Sequence, residues 1–238
     1  MTRSEVNQSP PRVAIVAALE REVRPLVRNW RRNEQEYDGR RFRFFETDGA
    51  VLVCGGMGAE AARRAAEAVI VLYGPSVVYS AGYAGALDPE VKVGKLIRPG
   101  RVINAGDSSS VEITGGEGVL VSYGLMASPA QKAKLRKAFG AQAVDMEAAA
   151  VARAAEARGV RFAVLKAISD EFDFELPALE RFVDSEGRFL EMRFALFAVL
   201  RPWLWPRVIR LARDSRRATR VLCEGMKNLD FRRPSGTR

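Results

Sequence analysis

Short apolar runs alternate along this chain with longer stretches whose small and apolar residues recur at helical spacing. VAIVAA (13–18), AVLVCGG (50–56), SVVYSAG (76–82), GVLVS (118–122) and RFAVLKAIS (161–169) read as buried strands. RFRFFET (41–47) alternates like a half-buried strand, and KLIRPGRVINAG (95–106) reads as further strand. Between them lie helical patterns: the charged stretch 20–32, residues 58–73, PAQKAKLRKAFG (129–140) and AVDMEAAAVARAAEARG (143–159). The third of these has a proline start and a glycine stop. The fourth is expected to enter its helix near Asp145 and to end at Gly159. This alternation predicts an α/β domain with a largely parallel sheet.

The pattern changes after residue 187. Residues 188–223 lack strand alternation and predict two helices broken near Pro202 and Pro206. Phe194, Phe197, Leu200, Trp203, Leu204 and Trp205 form an apolar cluster, followed by Arg207, Arg210, Arg213, Arg216, Arg217 and Arg220. The expected organisation is therefore a flexible N-terminus (1–11), an α/β domain (12–187), a basic helical extension (188–229) and a flexible tail (230–238).

Composition narrows the chemistry. Apolar residues make up 47% and charged residues 28% of the 238-residue chain, which fits a folded domain rather than a disordered one. The chain has no histidine, so no Ser-His-Asp or Cys-His machine can work within it. Two cysteines, Cys54 and Cys223, are too few for a zinc cluster or a disulfide framework and read as ordinary thiols. Acid–base work falls to Asp, Glu, Lys, Tyr or Cys, and neither metal nor cofactor is expected. The net charge of +9 belongs almost wholly to the last 38 residues, which hold 11 Lys and Arg against 3 Asp and Glu. That distribution argues against nucleic acid as a partner, because the tryptophans sit apart from the arginines rather than between them. Two readings of the extension stay open: an interfacial contact with anionic membrane through 188–223, or a packed segment whose arginines face water. The first apolar run, Val13 to Leu19, is too short for a signal segment or a membrane span, so a cytoplasmic location is expected, either free or at the inner membrane face.

Ligands of open α/β sheets gather beyond the carboxyl ends of the strands. The polar residues there are Glu20 and Glu22 after the first run, Gly55, Gly56 and Gly58 after the second, and Ser80, Gly82 and Gly85 after the third. Asp145, Met146 and Glu147 open the fourth helical pattern, and Ser169 and Asp170 end the last strand. Each has a bland reading. The glycines serve turns, Glu147 sits favourably at a helix start, and Asp170 caps the next segment. GGMG lacks both the dinucleotide-binding spacing and the phosphate-loop spacing.

Taken in order, AALEREV, GGMGAEAA, SAGYAGAL, VDMEAAAVA and VLKAISD resemble the nucleoside phosphorylase/nucleosidase superfamily over residues 12–175, most closely its methylthioadenosine/S-adenosylhomocysteine nucleosidase type. EFDFELP and the LARDSRRA helix resemble a hopanoid-associated branch that acts on adenosylhopane. The resemblance implies a three-layer α/β/α fold around a central mixed, mostly parallel twisted sheet, with a C-terminal helical extension. It implies cleavage of a purine N-glycosidic bond, releasing adenine from a 5′-substituted adenosine. By the same resemblance Asp170 protonates the base, Ser169 orients it, and Glu22 activates water. Glu147 grips the ribose hydroxyls and Met146 packs on the sugar and base. A donor aspartate needs a raised pKa, which burial and neighbouring carboxylates are expected to supply. A homodimer is expected.

The chain also departs from the family pattern. Tyr83, beside Gly82, stands where the nucleosidases carry serine in a turn, and Lys166 replaces an arginine. The stretch between Gly106 and Asp145 is short, so the base pocket must come from Val121, Ser122, Leu125 and Met126 or from the extension. Glu22 stands where phosphorylases hold phosphate, which favours water. Arg21, Arg24 and Arg63 keep phosphorolysis open as an alternative, and a non-catalytic nucleoside-binding or membrane-surface module is the third reading.

Overall fold

The computed structural model describes residues 13–175, 179–184, 187 and 189–229. The expected flexible ends, 1–11 and 230–238, lie outside them. Eleven strands form one mixed sheet. Its centre is parallel: β4 (Ala50–Cys54), β1 (Val13–Ala17), β5 (Val77–Ala86) and β11 (Arg161–Asp170) run side by side. These strands are apolar on both faces because helices cover both. Antiparallel pairings attach β2 (Arg31–Tyr37) and β3 (Arg40–Thr47) at one edge. A second wing holds β10 (Ala143–Asp145), β9 (Val119–Ser122), β7 (Arg101–Asn104) and β8 (Ser110–Glu112), while β6 (Leu96–Ile97) pairs with β11.

Alternate strand residues sort into two cores. Ala14, Val16, Val51 and Val53 face α2 (Ala59–Tyr73) and α4 (Ala148–Glu156), whose alanines let the helices approach closely. Ile15, Leu52, Ala81 and Leu165 face α1 (Glu20–Val27) and α6 (Trp205–Lys227). The result is the expected three-layer α/β/α arrangement. The extension supplies part of the second outer layer, since Ala218, Leu222, Cys223 and Met226 of α6 are buried in the core. α3 (Pro129–Phe139) begins with a reciprocal cap: Ser128 accepts from the Gln131 amide, and Gln131 accepts from the Ser128 amide. α5 (Glu191–Val199) and α6 are the two helices expected after residue 187; the break falls at Pro202, and Pro206 sits in the first turn of α6, where its missing N–H is no loss.

Three sequence expectations change. The charged stretch 20–32 is a helix only to Val27; Arg31 to Tyr37 form the polar edge strand β2. Its half-buried Asn33 and Gln35 face Glu46 and Tyr73 rather than an apolar core, so no apolar alternation marks it. SAGYAG is not a turn. β5 continues to Ala86 because its last residues pair with β10 on one side and β11 on the other. VDMEAAAVA does not enter its helix at Asp145, which ends β10; α4 begins at Ala148.

Candidate active site

Four segments meet at one end of the central strands: the first turn of α1, the second half of β5, the connection from β10 to α4, and the end of β11. They line a cavity of about 400 Å³. Of the residues expected at the site from sequence, nine line it together: Gly82, Tyr83 and Met126; Glu22, Met146, Glu147 and Lys166; Ser169 and Asp170. Its apolar wall includes Leu125 and, from the extension, Phe189, Phe194, Val208 and Leu211. Val121 and Ser122 do not contribute. Val121 belongs to the core beside α3, and Ser122 is bonded to Asp145.

Two glycines in β5 make room for the carboxylates. Gly82 lies at φ +152°, and a Cβ there would come within 2.8 Å of Glu22 Oε2. A Cβ on Gly85 would meet Asp170 Oδ2 at 2.8 Å. Close approach explains these two glycines better than turn geometry does. Opposite Gly85 the β11 register shifts between Ile168 and Asp170. That bulge re-aims the strand end towards the cavity.

Glu22 is buried, at 5% exposure. Its Oε2 has no hydrogen-bond partner among the described residues, while the Tyr83 backbone N–H acts on the carboxyl group as a whole. Burial, reinforced by Glu147, pushes its pKa up to about 8, against the pull of Lys166 and Arg21. Glu147 accepts from the Gly58 N–H at 3.0 Å, at the start of α2. Its carboxyl is also raised by burial and by Asp145, opposed by Lys166. Lys166 lies 2.8 Å from Asp145 Oδ2 and 3.9 Å from Glu147 Oε2. Burial works against its charge, but Asp145 and Glu147 outweigh that and hold the ammonium protonated.

Asp145, which also lines the cavity, organises this network. It accepts from Ser122 Oγ at 2.6 Å and from the Ala148 N–H at 2.9 Å, while Ser122 Oγ accepts from the Ala149 N–H. The orphan donors at the start of α4 are thereby satisfied by buried side chains. Tyr83 lines the cavity, but its phenol hydroxyl is committed to α6, donating to the Ser215 carbonyl (3.2 Å) and bonding Thr219 (2.5 Å). Burial and nearby Glu22 push its pKa up to about 12, so it stays a neutral phenol.

Asp170 accepts from Ser169 Oγ at 2.8 Å and is ion-paired with Lys132. Lys132 also donates to the Glu171 carbonyl at 2.6 Å. The expected carboxylate neighbours of Asp170 are thus replaced by an ammonium. Sequence reading missed Lys132. The signal was its place on α3: Lys132, Leu135 and Phe139 follow the spacing of a core face, yet the first is a lysine. It is 1% exposed, and a buried lysine of this kind persists only with a partner. Of the arginines considered for phosphate, Arg21 reaches the cavity, whereas Arg63 is paired with Glu60 and Glu67 on the outer face of α2.

Comparison with known proteins bears on the fold and the family. The chain is 25% identical over 206 residues to the aminodeoxyfutalosine nucleosidase of Campylobacter jejuni, covering 69% of this chain and 90% of that protein. Its fold is similar to that of the Helicobacter pylori 5′-methylthioadenosine/S-adenosylhomocysteine nucleosidase, with a TM-score of 0.66 at 20% identity over 93% of this chain and all of the other. The Campylobacter jejuni nucleosidase of the same name superposes with a TM-score of 0.64 at 18% identity, over 92% of this chain. A family model described as the phosphorylase superfamily matches residues 12–120 and 113–198, a span that takes in β1, β5, β10 and β11 and every carboxylate of the cavity, and the chain belongs to that superfamily.

Proposed function

We propose that the protein hydrolyses the N-glycosidic bond of a 5′-substituted adenosine, releasing adenine. The observation that carries this reading is the unpartnered Oε2 of Glu22, buried in a cavity shared with Glu147 and Asp170. A base with its pKa near 8 accepts a proton readily from water as the sugar takes on oxocarbenium character. Water attacks the anomeric carbon, its proton passes to Glu22, and the glycosidic bond breaks. The departing purine is protonated through the Lys132–Asp170 pair: the Lys132 ammonium gives a proton to Asp170, Asp170 passes one to the base, and Ser169 keeps its hydrogen bond to the carboxylate. Glu147, steadied by the Gly58 N–H and Lys166, accepts from the ribose hydroxyls, with Met146 against the sugar. Phe189, Phe194, Val208 and Leu211 form an apolar wall suited to a large apolar 5′ substituent, beyond a methylthio group.

The test is product analysis with a panel of 5′-substituted adenosines in phosphate-free buffer. Adenine and free 5-substituted ribose are expected, with no gain on adding phosphate. Phosphorolysis is a second reading because Arg21 and Arg216 line the same cavity. Turnover that requires phosphate and yields the sugar 1-phosphate would establish it instead. Absence of base release from every substrate, with and without phosphate, sinks both and leaves a nucleoside-binding module.

A further inference from the structure

Of nine large apolar side chains exposed among the described residues, seven lie between Met192 and Ile209. On α5 the outward residues are Met192, Ala195, Leu196 and Val199, the i, i+3, i+4, i+7 stripe of a helix face. Its inward residues are already satisfied: Phe194 and Phe197 pack against Phe182 with ring centroids 5.4 and 5.1 Å apart. The helix is therefore apolar on both sides, with one side bare. Leu200, Trp203, Trp205 and Ile209 continue the bare side, with Trp203 70% exposed.

The charge beside this surface is mostly positive, although Arg207 and Arg210 are paired with Glu175 and Glu171 and Arg213 with Asp214. Residues 191–220 carry eight arginines against Glu191 and Asp214. On α6, Trp205, Ile209 and Arg213 follow a spacing of four and Arg220 lies two turns further on, so the apolar end of the helix runs directly into a basic ridge. Val208, Leu211, Ser215, Arg216 and Thr219 occupy the adjoining face, towards the cavity. Among the described residues no helix is long and apolar enough to cross a membrane. An exposed apolar patch of tryptophan and leucine, rimmed by arginine, has the composition of a segment that lies in the headgroup layer of a bilayer.

We propose that α5 and the N-terminal half of α6 form a docking surface for an anionic phospholipid bilayer. Leu196, Val199, Leu200, Trp203 and Ile209 enter the interface, and Arg213 and Arg220 contact the headgroups. A second copy of the chain fits less well, because two such faces would bring arginine ridges together with few acids between them. The consequence for the active site rests on the proposed function. The same segment that bears the patch supplies Phe189, Phe194, Val208 and Leu211 to the cavity wall, so docking sets the apolar wall of the cavity beside the bilayer. A substrate whose 5′ substituent is dissolved in lipid then reaches the site without crossing water.

Vesicle flotation of the full chain tests this. Retention is expected on vesicles of equal parts phosphatidylglycerol and phosphatidylcholine, and not on phosphatidylcholine alone. Binding should fall about fivefold for each of Arg213→Ala and Arg220→Ala, and should weaken with salt. Leu196→Asp with Trp203→Ser should abolish retention while leaving adenine release from a soluble 5′-substituted adenosine and the circular dichroism unchanged, since neither side chain lines the cavity. Failure of the unmodified chain to float overturns the proposal, as does equal retention on neutral vesicles. A dimer in sedimentation equilibrium that Leu196→Asp dissociates, with no flotation, assigns the face to a second copy instead. Because flotation needs no turnover, an active protein that does not float refutes the docking surface and leaves the proposed hydrolysis standing.

Discussion

Glu22 illustrates how one carboxyl can be costly to the fold and useful to the site. Its pKa of about 8 compares with 4.5 when exposed, so between those values the folded protein holds one more proton than the unfolded chain. Stability contributed by the neutral form is therefore present in acid and lost as pH rises across that window. Glu22→Gln should melt higher than the unmodified protein at pH 8 and at nearly the same temperature at pH 5, read by differential scanning calorimetry. The same substitution should lower kcat by about a hundredfold or more. In the unmodified protein, kcat/KM should climb with pH and level off above about 8, and the variant should lack that limb. Lys132 behaves in the opposite sense. Removing it by Lys132→Met leaves Asp170 buried without its cation, which should cost about 3–5 kcal/mol in denaturant unfolding. A Lys132 variant that unfolds like the original would show that the pair carries no stability. The carboxylates Glu22, Glu147 and Asp170 were legible in sequence through their motifs. Lys132 was not, because its partner lies 38 residues away and only the folded chain brings them together.

β5 is the element on which the site depends. It is the only described strand that pairs with β1 and β11 along its length and with β10 at its end, and its two glycines each leave space for a carboxylate of the cavity. Gly85→Ala should displace the Asp170 carboxylate and reduce kcat more than tenfold, since a misplaced acid delivers its proton poorly. Far-ultraviolet circular dichroism should be unchanged, and full activity in that variant would remove the close approach as the reason for glycine. The apolar runs were readable because strands buried on both faces leave an unmistakable signature. The reach of β5 through SAGYAG was not, since small residues there look like a turn until three neighbouring strands are placed around them. β2 escaped for the converse reason: an edge strand with polar partners carries no apolar alternation at all.

At the scale of the whole molecule, α6 joins the cavity to the core. One part of it lines the site, and further along Ala218, Leu222 and Met226 complete the layer over β1, β5 and β11. Tyr83 ties the two together through Ser215 and Thr219. Tyr83→Phe should loosen α6 by about 1 kcal/mol. Amide hydrogen exchange should then quicken in residues 205–219 and stay unchanged in α2 and α4. The basic extension that looked separable in sequence is thus partly domain and partly surface. Alternation and motif order alone pointed to an α/β member of a nucleoside-cleaving superfamily and to three candidate carboxylates, because periodicity and short motifs are local properties of a chain. The tertiary structure decided which groups surround those carboxylates: an ammonium at Asp170, an unpaired oxygen at Glu22, a helix from the far end of the chain as the wall of the cavity. Those depend on contacts between residues distant in sequence, and burial and charge act through space rather than along the backbone.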